Sequence, residues 1–166
     1  MIQRLLIGII LFTSTITLAQ SDSSLLYKRI PLWAQKALER SELISNYTIV
    51  DSINPFYLED DFNGDGEVDI VFFIEQKLSK EAGVFIINGG KNIGFVLGAG
   101  KPIGMGSTIS WCNQWFVYRA RSIYNFDARQ KKLLIKANGI ELRKTEDKSI
   151  IIYWDRRTYK TAIKKV

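Results

Sequence analysis

The stretch YLEDDFNGDGEVDIVFFIE, Tyr57 to Glu75, sets two apolar runs on either side of a turn crowded with acids, an amide and two glycines. The runs, FYLED before the turn and EVDIVFFIE after it, are short and rich in β-branched and aromatic residues, the composition of strands. In the second run Ile70, Phe72 and Ile74 alternate onto one face. The segment therefore reads as a hairpin, and its turn poses a problem. Asp61, Asp65 and Asp69 stand beside Phe62, Val68 and Ile70, residues the chain must bury. Uncompensated, carboxylates so placed repel one another. Asn63-Gly64 and Asp65-Gly66 are strong turn formers in their own right, but a turn alone has no need of Asp61 or Asp69.

The spacing supplies an answer. Asp61, Asn63 and Asp65 occupy alternate positions, Gly66 follows, and Asp69 stands eight residues after Asp61. That order matches the opening positions of an EF-hand-type calcium loop. A tight turn points every second side chain at one centre, and calcium takes about six or more oxygens. The side chains of Asp61, Asn63, Asp65 and Asp69 and the carbonyl of Glu67 are the candidate ligands, and Gly66 allows the positive-φ backbone that closes the turn. Phe72 takes the place of the closing Glu, and the flanks are strands, so this is not a helix-flanked EF-hand and Asp69 is the expected bidentate ligand.

The loop, D-x-N-x-D-G-x-x-D, resembles the calcium loops of FG-GAP and VCBS-type repeats, which occur in integrin β-propellers and in many secreted bacterial proteins. The wider chain is similar to small exported bacterial proteins carrying a single such loop, with an AGVFIINGG strand, a LGAGKPIG loop and a closing SIIIYWDRRTYKTA hairpin. The resemblance implies one Ca2+ on Asp61, Asn63, Asp65 and Asp69 and brings no known activity. Asp60 stands where the repeat has Gly. One repeat builds no propeller. All the ligands sit on one continuous loop with little room for substrate, so the expected ion is structural.

Outward from the loop, Pro31 opens PLWAQKALERS, where Trp33, Ala34, Ala37 and Leu38 give an apolar stripe and Pro suits the first turn. One N-terminal amphipathic helix is expected over Pro31 to Ser41. NYTIVDSI, AGVFIINGG, KNIGFVLGAG, QWFVYRA, KKLLIKANGIEL, KSIIIYWD and TYKTAIKK read as further strands, with a hairpin at Gly89 to Asn92 and turns at Asn138-Gly139 and Asp155 to Arg157. The fold class is mainly β (α+β): an antiparallel sheet or sandwich of short strands with one helix, a single domain over 31–166 carrying the loop at 61–69.

The first residues follow another grammar. Arg4, the apolar run Leu5 to Phe12 and the small residues Thr17 and Ala19 make a secretory signal peptide over 1–19, followed by a flexible leader over 20–30. The run is short for a bilayer span, and no cysteine follows it for lipid attachment. Export to the periplasm or beyond is expected, with no membrane span left after cleavage. Cys112 is the only cysteine, so no disulfide forms within the chain. Histidine is absent, which excludes Ser-His-Asp and Cys-His catalysis and the commonest zinc ligand. Oxygen ligands and hard cations remain.

The other features have plain readings. Trp111, Trp115, Phe116, Tyr118, Tyr124 and Phe126 in 111–126 read as a core strand with its rim, the alternative being an aromatic platform for sugar. Cys112 reads as a small apolar residue. The Gly-rich loop around Lys101 lacks Walker spacing and reads as a flexible edge loop, the best candidate contact surface. The late Lys and Arg residues, interleaved with acids, read as solvated surface; the net charge is +6. The expected function is binding: a protein-interaction or inhibitor-like module meeting an envelope or extracellular protein. The alternatives are a carbohydrate-binding module, with a glycan partner, and a small hydrolase with a distant carboxylate pair. Nucleic acid is not an expected partner.

Overall fold

The structure, a computed structural model, describes residues 23–41, 43–125, 131–144 and 148–165. The signal peptide expected over 1–19 lies outside the described residues, as does Phe126. The leader expected over 20–30 is instead helical at α1, Ser23–Lys28. Leu26 and Tyr27 of α1 have apolar partners in the main chain fold, and the Tyr27 hydroxyl lies 2.8 Å from the Gln35 carbonyl oxygen. The helix α2, Leu32–Arg40, forms where expected, with Pro31 before its first turn and Ala34, Ala37 and Leu38 buried. A single further turn, α3, Leu43–Asn46, leads into the first strand.

The protein is mainly β and its sheets are antiparallel. The first sheet holds β1 (Tyr47–Ile49), β2 (Tyr57–Asp60), β3 (Asp69–Gln76), β4 (Ala82–Asn88) and β5 (Ile93–Gly98). β1 and β2 both pair with β3, at its two ends: Tyr47 faces Gln76, and Asp60 faces Asp69. On its other edge β3 pairs with β4, and β4 with β5. After β6 (Gln114–Tyr118), the chain makes a small separate hairpin, β7 (Ser122–Asn125) and β8 (Lys131–Leu134). It then adds β9 (Gly139–Arg143), β10 (Lys148–Trp154) and β11 (Tyr159–Lys165) to form a second sheet in the order β11-β10-β9-β6.

The side-chain alternation of β3 explains the layering. Ile70, Phe72 and Ile74 face α2, joining Ala34, Ala37 and Leu38 in one apolar cluster. Val71 and Phe73 face the other way, onto Trp115, Ile140, Leu142, Ile150 and Ile152 of the second sheet. With both faces covered, β3 is apolar almost throughout, as strands in the middle of a layered fold are. The outer face of the second sheet carries Tyr118, Ile151 and Ala162 against Ile123 and Ile135 from the small hairpin and its exit. The order of layers is helix, sheet, sheet, hairpin. Of sheet and sandwich, both left open by the sequence, the structure has two packed sheets, with an extra hairpin whose first strand, β7, lay inside the aromatic stretch.

Two surface expectations change. The loop around Lys101 is tied down: Gly100 N–H donates to the Ser107 carbonyl (3.0 Å) and Ile103 N–H to the Gly106 carbonyl (2.8 Å), while Ile103 and Ile109 are wholly buried. Among the late basic residues, Arg143 and Lys164 are not free surface charge. They flank Glu141, which is 2% exposed, at 3.0 and 3.4 Å.

Candidate functional site

The turn between β2 and β3 gathers its acids around its own backbone. Asp61 Oδ1 accepts from the N–H groups of Gly64 (2.6 Å) and Asp65 (3.2 Å), and its Oδ2 from Gly66 N–H (3.0 Å). Asn63 Oδ1 accepts from Asp65 N–H (2.8 Å), and Asp65 Oδ1 from Glu67 N–H (3.0 Å). Each is a short polar side chain satisfying an amide a few residues on, the device that makes Asp and Asn turn residues. Gly64 and Gly66 take φ of 82° and 88°, the left-handed region that glycine enters without strain.

Asp69 differs from the rest. It opens β3 opposite Asp60 and is wholly buried. Its Oδ2 accepts from the N–H groups of Phe62 (2.8 Å) and Asn63 (3.0 Å), and its Oδ1 from Gly89 N–H (3.0 Å). Burial pushes its carboxyl up to about 6, against the pull of those three amides and with a further push from the Asp65 charge. The amides orient the carboxylate but do not offset its desolvation.

Asn63 joins the acids. Its amide group lies 3.1 Å from Asp65 Oδ2 and 3.3 Å from Asp69 Oδ1. The Asn63 amide thus links Asp65 and Asp69, while Asp61 is turned onto the backbone of 64–66. Among the described residues no three carboxylate or thiol groups close into a finished cage, and no Lys or Arg pairs with Asp61, Asp65 or Asp69. The four side chains carry the oxygen donors that a hard cation such as calcium takes, with Asn63 here turning its Nδ2 toward the two carboxylates and its Oδ1 to Asp65 N–H.

Several residues around the loop escaped the sequence reading. Gly89 was legible only as a hairpin residue; it also donates to Asp69 and passes so close to Val68 that a Cβ there would lie 2.0 Å from the Val68 carbonyl oxygen. Asn88, beside it, is buried and accepts from the Tyr159 hydroxyl at 2.7 Å. Burial, and then the nearby charges of Asp69, Asp61 and Asp65, raise the Tyr159 phenol, so it stays a donor. Asp60 anchors the loop to the second sheet: its Oδ1 accepts from Asn138 Nδ2 (2.7 Å) and its Oδ2 from Arg119 (3.0 Å). In place of a flexible glycine, the loop has a cross-link.

No family model, curated protein or solved structure matches this chain.

Two cavities flank the loop. The first, about 300 Å³, is lined by Asn63 and Asp65 from the loop, by Phe95 and Trp154, and by Lys91, Arg156 and Arg157. The second, about 500 Å³, shares Asn63, Trp154 and Arg156 and runs past Lys136, Tyr153 and Lys160. Trp154 stands between them, held edge-on against Phe95 (5.5 Å between ring centroids) and Tyr159 (4.9 Å).

Among the described residues of the segment 111–126, the rings differ in exposure, Trp111 and Phe116 being half-buried. Trp115 and Tyr118 are buried, and Trp115 packs edge-on against Phe73 at 4.7 Å and donates to the Pro55 carbonyl at 2.8 Å. Tyr124 is exposed on the small hairpin. Cys112 is half-buried, and burial pushes its thiol up to about 11, which leaves it protonated and unreactive at neutral pH.

Proposed function

We propose that this chain is an exported calcium-binding protein that acts by binding a protein or glycan partner, with its single ion serving structure. The observation that carries the reading is Asp69: a wholly buried carboxylate at the end of a D-x-N-x-D-G-x-x-D loop, held by three backbone amides and the Asn63 amide group, with no Lys or Arg paired to it among the described residues. The side chains of Asp61, Asn63, Asp65 and Asp69 and the Glu67 carbonyl would hold the ion. Bound calcium supplies positive charge where the acids converge. The protein's own part is to aim them. The amides of Phe62, Asn63 and Gly89 fix Asp69, and Asp60 fixes the start of the loop.

Binding rather than catalysis is supported by the absence of histidine, the protonated Cys112 and the commitment of the loop acids to one turn. Export is supported by the apolar N-terminal grammar of residues 1–19. Titration calorimetry of chelator-treated protein tests the site. Calcium should give a saturable one-to-one isotherm that Asp65→Ala removes; a flat trace with the intact protein rejects the reading.

A further inference from the structure

Lys91, Arg156 and Arg157 bring three exposed cations to the rim of one cavity, and among the described residues none of them is in an ion pair. The nearest candidate partner, Asp155, is taken by Lys160. Phe95 and Trp154, both half-buried, line the same cavity. Asp65, exposed, and Asn88, buried with its Oδ1 on the Tyr159 hydroxyl, also line the cavity. Arg156 sits in the tight turn between β10 and β11 at φ 57°, a left-handed conformation that glycine or asparagine would take with less strain. The turn alone gives no reason for an arginine there.

From these residues we infer a binding site for an acidic polysaccharide whose sugar units bear carboxylates. Guanidinium groups recognise carboxylates by paired hydrogen bonds. The exposed part of the Trp154 ring suits the C–H face of a pyranose. Asp65 offers an exposed acceptor to sugar hydroxyls, which a DNA phosphodiester backbone does not carry. The second cavity shares Asn63, Trp154 and Arg156 with the first and adds Lys136, beside the Lys160–Asp155 ion pair, so the surface follows a chain of several units rather than one small anion.

This inference rests on the calcium reading in one respect: Asp65 lies on the wall, and the ion would offset its charge toward the ligand's carboxylates. Anisotropy of a labelled hyaluronan decasaccharide added to the intact protein, with calcium and with chelator, tests it. Binding should weaken with salt, and Arg156→Gln and Arg157→Gln should each weaken it about tenfold. Lys36→Gln, on an exposed position of α2, should leave it unchanged. Binding that survives in a protein insensitive to calcium, yet is lost in the arginine variants, supports the cavity and rejects the calcium site. A calcium-stabilised protein that ignores the decasaccharide, or whose arginine variants bind normally, overturns the cavity assignment and leaves calcium standing. Tighter binding of a neutral maltodextrin, poly-glutamate or single-stranded DNA overturns the ligand class.

Discussion

Asp69 shows how a single residue ties a local motif to the fold. Its position in the loop was legible from spacing, because ligand spacing is a property of consecutive residues. Its burial and its bond to Gly89, 20 residues away, were not. The same holds for Tyr159 with Asn88 and for Asn138 with Asp60, pairs 71 and 78 residues apart. Such contacts depend on which strands become neighbours, and local pattern does not encode that. Gly89 gives a direct test. Any side chain there meets the Val68 carbonyl and displaces the amide that holds Asp69. Gly89→Ala should cost about 3 kcal/mol or more, in the range of severe core substitutions. Denaturant melts would show it. A cost below about 0.5 kcal/mol, as at an ordinary surface site, would mean that the approach relaxes freely. Asp65 is the better position for probing the ion, since it is exposed and its one backbone bond, to Glu67 N–H, lies at the surface.

At the scale of elements, the strand runs and the helix were readable because their periods differ. What was lost was small or hidden. The helix α1 has six residues and no repeat of its own, and packing rather than propensity forms it. The strand β7 lay inside an aromatic stretch that alternation assigned to one strand. Trp115 is core, wedged on Phe73 and hydrogen-bonded to Pro55. Trp115→Ala should therefore cost about 3–5 kcal/mol, measured by urea unfolding, whereas an open sugar-stacking ring could be removed with little loss. The hairpin β2–β3 makes a second prediction. On the calcium proposal, removing the ion leaves Asp61, Asp65 and Asp69 repelling one another at the end of the pairing between Asp60 and Asp69. Amide exchange should speed up from about Tyr57 to Phe73 on chelation, beyond the loop itself. A change confined to 61–69 would make the ion a local clip rather than a support for the sheet.

For the whole molecule, β3 is the hinge of the argument. It is covered by a helix on one face and a second sheet on the other, and the acidic loop opens directly into it. The fold class could be read because strand composition survives whatever the pairing. The division into two sheets could not, since inward and outward residues alternate identically in a single sheet and in a sandwich. The loop ends where Asp69, the first residue of β3, enters the core, so an ion held there should stabilise the entire domain and not only its rim. The most direct measurement is the melting temperature of the intact protein and of Asp65→Ala, each in calcium and in chelator. An ion bound at about a hundredfold excess over Kd contributes about 2.7 kcal/mol, or about 5–10 °C for a domain of this size. The account predicts that rise for the native sequence and none for Asp65→Ala. Equal melting of the native protein in calcium and in chelator would contradict it.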